Sequence, residues 1–396
     1  MDYLHITDKE LLMPRIYMDH SATTPVDPEV IEAMLPYLSD HFGNPSSIHA
    51  YGRDVKVALE DARETVAGFI NADAGEIVFT SGGTESDNMA ITGAALFHKV
   101  KGRHIITSRI EHHAVLHTCQ YLEKQGFSVT YLAPDSSGMI SAASVDAAIR
   151  DDTILITIMH ANNEVGTINP VMDIGALARQ RNILFHTDAV QTFGKYRMNM
   201  KDMPVDLMSF SGHKIYGPKG IGGLFIRKGV QLEPAAYGGS HERNRRAGTE
   251  NIPGIIGMAR AVQVCDRDLE KNHQHMVTLG QQMRRAVIDS IPKANLNGHT
   301  EKRLPGLMNI SFYGIEGESL LLSLDMKGIA ASSGSACTSG SVEPSHVLLA
   351  MNVKPELAQS SIRFSLGRTN SEEDITQLSE VLPPIVERLR QMSPIN

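Results

Sequence analysis

The chain has 396 residues, with 37 Lys and Arg against 45 Asp and Glu for a formal net charge of −8. At roughly 150 residues per domain this length gives two or three domains, and a composition 42% hydrophobic and 21% charged excludes disorder, collagen and repeat arrays. The negative charge offers no bulk attraction to nucleic acid or anionic lipid, and no apolar run approaches the roughly 20 residues of a bilayer span. The acidic start, Met1 to Asp19, lacks a signal-peptide core, so the expectation is a cytoplasmic protein with neither nucleic-acid nor membrane partner.

In chain order, short apolar runs rich in β-branched residues stand at 76–80, 104–108, 128–133, 154–159, 183–187, 206–210 and 222–226. Amphipathic stretches such as 85–99 and 171–181 separate most of the first five, an alternation that predicts a mainly parallel, doubly wound α/β sheet. Shorter gaps between the last runs suggest antiparallel strands there. After about Gly254 a long helical stretch reaches Ser290, followed by a strand at 309–312, a helix at 317–326, a strand at 362–366 and a terminal helix. The expected division is a large domain over 20–265 and a smaller α/β domain from 1–19 and 266–396.

Polar clusters follow five of the runs, where ligands bind in open α/β sheets. They are Ser81-Gly-Gly-Thr84, Glu111-His-His113, His160-Ala-Asn-Asn163, Asp188-Ala-Val-Gln191 and Ser211-Gly-His-Lys214. The first opens a helix and suits an anion such as phosphate, although Thr84 and Asp87 also have the spacing of a plain capping box. No dinucleotide fingerprint or P-loop is present. Asp188 ends an apolar strand, where a structural acceptor, a helix cap or the partner of a cationic ring nitrogen are all open readings. Lys214 directly follows a buried-looking strand; burial lowers an amine's pKa and makes it a nucleophile, while the commoner alternative is a snorkelling surface lysine.

Three cysteines, Cys119, Cys265 and Cys337, are too few and too scattered for a disulfide framework. Cys337 alone sits in a small-residue, glycine-rich segment at 332–341, unsuited to a helix or strand interior, from which its sulfur would swing on the order of 15 Å. His113 and His117 have the spacing of metal ligands but lack a third, so no resident metal is expected and a single ring serving as base or stacking partner is preferred. Arg363 alternates with apolar residues on its strand and suits a bidentate clamp on a carboxylate, or an ordinary solvent-facing position.

Taken in order, Tyr17-Met-Asp-His-Ser-Ala-Thr-Thr-Pro25, Phe42-Gly-Asn-Pro-Ser-Ser47, Ser81 to Ser86, His160 to Glu164, His186-Thr-Asp-Ala-Val-Gln191, Ser211 to Lys214, Arg246-Ala-Gly-Thr249 and Ser332 to Ser341 resemble the NifS/IscS-type cysteine desulfurases, within the class-V, fold-type-I enzymes that use pyridoxal 5'-phosphate. The resemblance implies a large domain with a seven-stranded sheet, a small domain carrying a mobile cysteine loop, and a homodimer. Lys214 would hold the coenzyme and move the substrate's α-proton; Asp188 would pair with the ring nitrogen and His112 would stack on the ring and assist proton transfer. Gly83, Thr84, Ser211 and His213 would bind the phosphate together with Thr249 from a neighbouring subunit, while Asn163 and Gln191 would contact the ring. Arg363 and Asn44 would hold the carboxylate of L-cysteine. Cys337 would take its sulfur as a persulfide, touching an iron–sulfur cluster at most transiently, and pass it to a scaffold or sulfur-carrier protein.

The loop around Cys337 resembles the long-loop branch of the family. The ending Ser393-Pro-Ile-Asn396 lacks the tail of housekeeping relatives, and Arg246 to Asn251 looks closer to the nitrogen-fixation-associated subgroup. Two other readings remain: an aminotransferase or lyase on the same scaffold with Cys337 incidental, and a non-enzymatic metal- or phosphate-binding protein.

Overall fold

The computed structural model describes residues 15–333 and 343–393; Cys337 lies outside the described residues. Strands form at Ile77–Thr80, His104–Ser108, Ser128–Leu132, Thr153–Thr157, Leu184–Asp188, Leu207–Ser211 and Gly222–Ile226, all close to the positions expected. They make one seven-stranded sheet, ordered from Ile77–Thr80 through Gly222–Ile226, Leu207–Ser211, Leu184–Asp188, Thr153–Thr157 and His104–Ser108 to Ser128–Leu132. Only Gly222–Ile226 runs against its neighbours. The expectation of reversed final strands is thus corrected for Leu207–Ser211, which lies parallel to Leu184–Asp188. Link length explains the difference. Residues 189–206 are enough for a crossover, whereas 212–221 fall short of the dozen or so residues that a parallel return requires.

Ile77–Thr80, His104–Ser108, Thr153–Thr157 and Leu207–Ser211 are buried at every position, as expected of a sheet covered on both faces. Side-chain alternation sends neighbours to opposite layers: Ile106 and Ile156 join a core with Phe185, Phe210 and Met258, while Ile105 and Leu155 join another with Ile91 and Leu224.

The long helix Ile252–Ile288 has 37 residues, about 55 Å at 1.5 Å per residue. Asn251 caps it by accepting from the Gly254 amide at 3.2 Å. Its first half packs Ile255, Met258 and Val262 into the main core. Its second half gives Leu279, Met283 and Val287 to a separate core with Ile310, Phe312, Phe364 and Leu378. That second core lies on an antiparallel sheet of Ser332–Ser333, Ser361–Ser365, Leu307–Phe312 and Ala294–Asn297. Two of these strands were not anticipated. Ser332–Ser333 also corrects the reading of 332–341 as wholly unsuited to a strand, since Ser332 pairs opposite Arg363.

A buried ion pair fixes the loop beyond the seventh strand. Arg63 reaches Glu242 through Nη1–Oε2 at 2.7 Å and Nη2–Oε1 at 2.8 Å, and the Phe79 amide donates to the same carboxylate at 3.0 Å. These bonds hold Glu242, Arg243 and Asn244 at positive φ values of 45°, 58° and 65°, which non-glycine residues adopt only under tertiary constraint. Removing one partner of a buried pair strands the other charge. Glu242→Ala is therefore expected to cost about 3–5 kcal/mol in denaturant unfolding, and a loss below about 1 kcal/mol would show the pair to be dispensable.

Candidate active site

The polar clusters at the carboxyl edge of the sheet converge on one cavity, open to solvent. One wall is the start of the helix Gly83–His98. Its N-cap is Gly82, with no side-chain cap, so the capping box expected of Thr84 and Asp87 does not form. The helix starts before Thr84, and the Glu85 carboxylate accepts from the Ser81 amide at 2.7 Å instead. A Cβ at Gly83 would lie 2.7 Å from Val190 Cγ2, so only glycine lets this turn approach the cavity so closely. The free amides of the first turn carry the positive end of the helix dipole and form an anion seat with Ser211 and His213. Burial, and then Lys214, push His213 down to about 4, so its ring is neutral at neutral pH and contributes hydrogen bonding, not charge.

Asp188 and Lys214 lie at the centre. Lys214 ends the single turn Gly212–Lys214 after the strand Leu207–Ser211. Its amine donates to the backbone carbonyls of Ser21 and, at 2.6 Å, Ala22. Asp188 Oδ1 accepts from the Val190 amide at 2.9 Å. Burial pushes the Asp188 carboxyl up to about 6, opposed by that amide and by the Lys214 charge. A cationic ring nitrogen would add to the counter-charge that Asp188 takes from Lys214.

His112 caps the helix His113–Lys124, its Nδ1 accepting from the Ala114 amide at 3.1 Å, which leaves the proton of the neutral ring on Nε2. Burial pushes this histidine down to about 4, reinforced by Lys214 and by neighbouring His113, His346 and His117. Gln191 Nε2 donates to the Ser21 carbonyl at 3.0 Å, and Lys195 Nζ donates to Gln191 Oε1 at 3.4 Å, fixing which way the amide faces. A helix N-terminus suited to an anion, a buried carboxylate, the His112 ring and an amine lining one cavity fit pyridoxal phosphate.

Arg363 crosses from the small sheet into this cavity and is fully buried, which excludes the solvent-facing reading. Its Nη2 bonds Asp19 Oδ1 at 2.7 Å and its Nη1 the Asn163 carbonyl at 3.0 Å; Nε has no hydrogen-bond partner among the described residues. Asp19, Asp87 and the carbonyls of Ser21 and Ala22 were not anticipated as site groups. The polar run Asp19-His-Ser-Ala-Thr-Thr24 directly after the strand Ile16–Tyr17 was the available signal.

Two anticipated residues lie apart from the cavity within one chain. Thr249 is exposed in a surface hollow with Arg246 and Asn251. Asn44 is exposed and spends its Oδ1 on the Ser46 amide at 2.9 Å. Cys119 and Cys265 are buried, and burial pushes both thiols up to about 12, which makes them unreactive. The rings of His113 and His117 stack at 5.0 Å and those of His113 and His346 meet tilted at 4.8 Å, yet no group of three side chains among the described residues could hold a metal ion.

Residues 16–378 match the family model for aminotransferase class-V. The chain is 54% identical to cysteine desulfurase IscS of Methanosarcina thermophila over 96% of this chain and 94% of that protein. It is 50% identical to a cysteine desulfurase of Nostoc sp. (strain PCC 7120 / SAG 25.82 / UTEX 2576), covering 96% and 95%. Among solved structures, a NifS-like protein superposes with a TM-score of 0.87 at 38% identity, covering 96% of this chain and 99% of that one. Another, SspA in complex with cysteine, gives 0.79 at 39% identity, covering 90% and 100%. The chain belongs to the class-V aminotransferase family, fold-type-I enzymes that use pyridoxal phosphate.

Proposed function

We propose that this chain is a cysteine desulfurase. L-cysteine and the Cys337 thiol give L-alanine and a Cys337 persulfide: the substrate's C–S bond breaks, an S–S bond forms and the leaving carbon gains a proton, so the step needs no external oxidant or reductant. The observation that carries the reading is the pairing of a buried carboxylate, Asp188, with an amine, Lys214, in one cavity of a chain about half identical to enzymes of that name.

Bound in this cavity, pyridoxal phosphate supplies an electron sink for bonds at the substrate's reacting carbons. Lys214 holds it by its amine and carries the proton of the substrate α-carbon. Asp188 would pair with the ring nitrogen, and Asn163 and Gln191 would contact the ring. Gly83, Thr84, Ser211 and His213 seat the phosphate, with Thr249 of the partner subunit added in a homodimer; the exposure of Thr249 supports that role. His112, neutral and with its proton on Nε2, would stack on the ring and assist proton transfer. Arg363 binds the substrate carboxylate, preoriented by Asp19, and Asn44 assists. Orienting partners save the ordering cost that a flexible arginine would incur at binding.

The chain on either side of 334–342 is fixed beside the cavity. Ser332 pairs with Arg363, Ser345 Oγ donates to Glu164, and His346 Nε2 bonds the Glu111 carbonyl at 3.1 Å. These anchors support delivery of Cys337 to the substrate sulfur and transfer of its persulfide to an iron–sulfur scaffold or sulfur carrier in the cytoplasm. No helix among the described residues is long and apolar enough to cross a membrane. The same reading divides the chain into 20–265 and, as the unit bearing Cys337, 1–19 with 266–396.

Cys337→Ser should abolish formation of alanine and sulfide from L-cysteine with a reductant present, whereas Cys119→Ala and Cys265→Ala should keep wild-type turnover. Sulfide release at the wild-type rate from Cys337→Ser would favour the aminotransferase or lyase alternative. Arg363→Lys keeps charge but loses the fork that bonds two oxygens, so steady-state kinetics should show KM for L-cysteine raised by about tenfold or more. An unchanged KM would remove Arg363 from the substrate site.

A further inference from the structure

Asp87, singled out at first as a helix cap, sits on the helix Gly83–His98 and lines the same cavity as Asp188. It is 1% exposed, its Oδ1 has no hydrogen-bond partner among the described residues, and the nearest basic atom, His186 Nε2, lies 3.6 Å away. His186 is held between Thr157 Oγ1 at 2.8 Å and Ser209 Oγ at 3.0 Å, and burial pushes it down to about 3, so it brings no positive charge. The charges that act on Asp87 most strongly are acids, Asp188 from the strand Leu184–Asp188 and Glu111 from the turn after His104–Ser108, while Lys214, Arg363, His112 and His213 also line the cavity. Asp188, by contrast, has the Val190 amide and the Lys214 ammonium.

We propose that Asp87 and Asp188 together hold one negative charge, with Asp87 kept as the neutral acid and Asp188 as the carboxylate that meets the ring nitrogen. Two buried carboxylates in one wall repel each other, and the member more weakly supported by a cation keeps the proton. Asp87 is then a positioning residue: it closes the wall with a polar group yet leaves a single charge to match a single ring N–H⁺. Burial, reinforced by Asp188, raises the Asp87 carboxyl well above its usual range. This inference rests on the assignment of Asp188 to the ring nitrogen.

The sign of the linked stability follows. A carboxyl whose pKa is raised by folding imposes no penalty below the unfolded value near 3.9, and the folded state loses stability as pH rises from there through the folded value. Asp87→Asn removes that loss. In unfolding of the coenzyme-loaded protein at saturating coenzyme, Asp87→Asn should gain on wild type steadily between pH 5 and pH 8. On dilution it should release coenzyme close to the wild-type rate, while Asp188→Asn releases it at least about tenfold faster. If Asp87→Asn does not fold, Asp87→Ser, equally uncharged, carries the same comparison. Parallel pH–stability curves for variant and wild type, or release from the Asp87 variant as fast as from Asp188→Asn, would overturn the proposal. Slow release from Asp188→Asn, beside the expected pH–stability difference, would instead strike at the assignment of Asp188.

Discussion

The site depends on the parallel pairing of two buried strands, Leu184–Asp188 and Leu207–Ser211, in a register that sets Asp188 opposite Ser209. Strands pair about 4.8 Å apart, so this register brings an acid at the end of one strand and an amine just past the end of the next to one edge of the sheet. A slip by one residue would turn every side chain of a strand to the other face, and apolar cores on both faces forbid it. The unfavourable burial of Asp188 is therefore maintained by hydrophobic packing elsewhere. A cationic group bound beside Asp188 would offset that desolvation.

The second unit adds what the sheet lacks. Asp19 and Ser365 form a bridge between the N-terminal segment and the small sheet. That junction carries the Asp19–Arg363 pair over the cavity and lays the carbonyls of Ser21 and Ala22 against Lys214. Arg363 and Lys214, which line one cavity, thus come from different layers joined along one short stretch of chain. An arginine already paired and oriented recognises a carboxylate at lower entropic cost than a free one.

Most strands of the large sheet were legible because burial on both faces favours apolar, β-branched runs, which stand out in a sequence, although the edge strand Ser128–Leu132 is only half-buried. Ser332–Ser333 and Ala294–Asn297 were not, since two to four polar or mixed residues carry no periodicity and pair only because Arg363 and Leu307–Phe312 lie beside them. Lys214 and Asp188 were visible from local context. Asp87 was read as a cap because its spacing from Thr84 has that form; its actual neighbours, His186 and Ser209, lie about a hundred residues away in sequence. Asp19 was hidden for the same reason. Asn44 and Thr249 came from the family resemblance alone, and a single chain leaves them at its surface.

The most direct test of the account is covalent. The coenzyme-loaded protein would be reduced with borohydride, digested and mapped by mass spectrometry. The coenzyme-derived mass should appear on the peptide containing Lys214 and nowhere else. Its appearance instead at Lys195, a second amine near the cavity whose pKa burial lowers to about 8, or its absence from every lysine, would contradict the assignment from which the rest of the site is built.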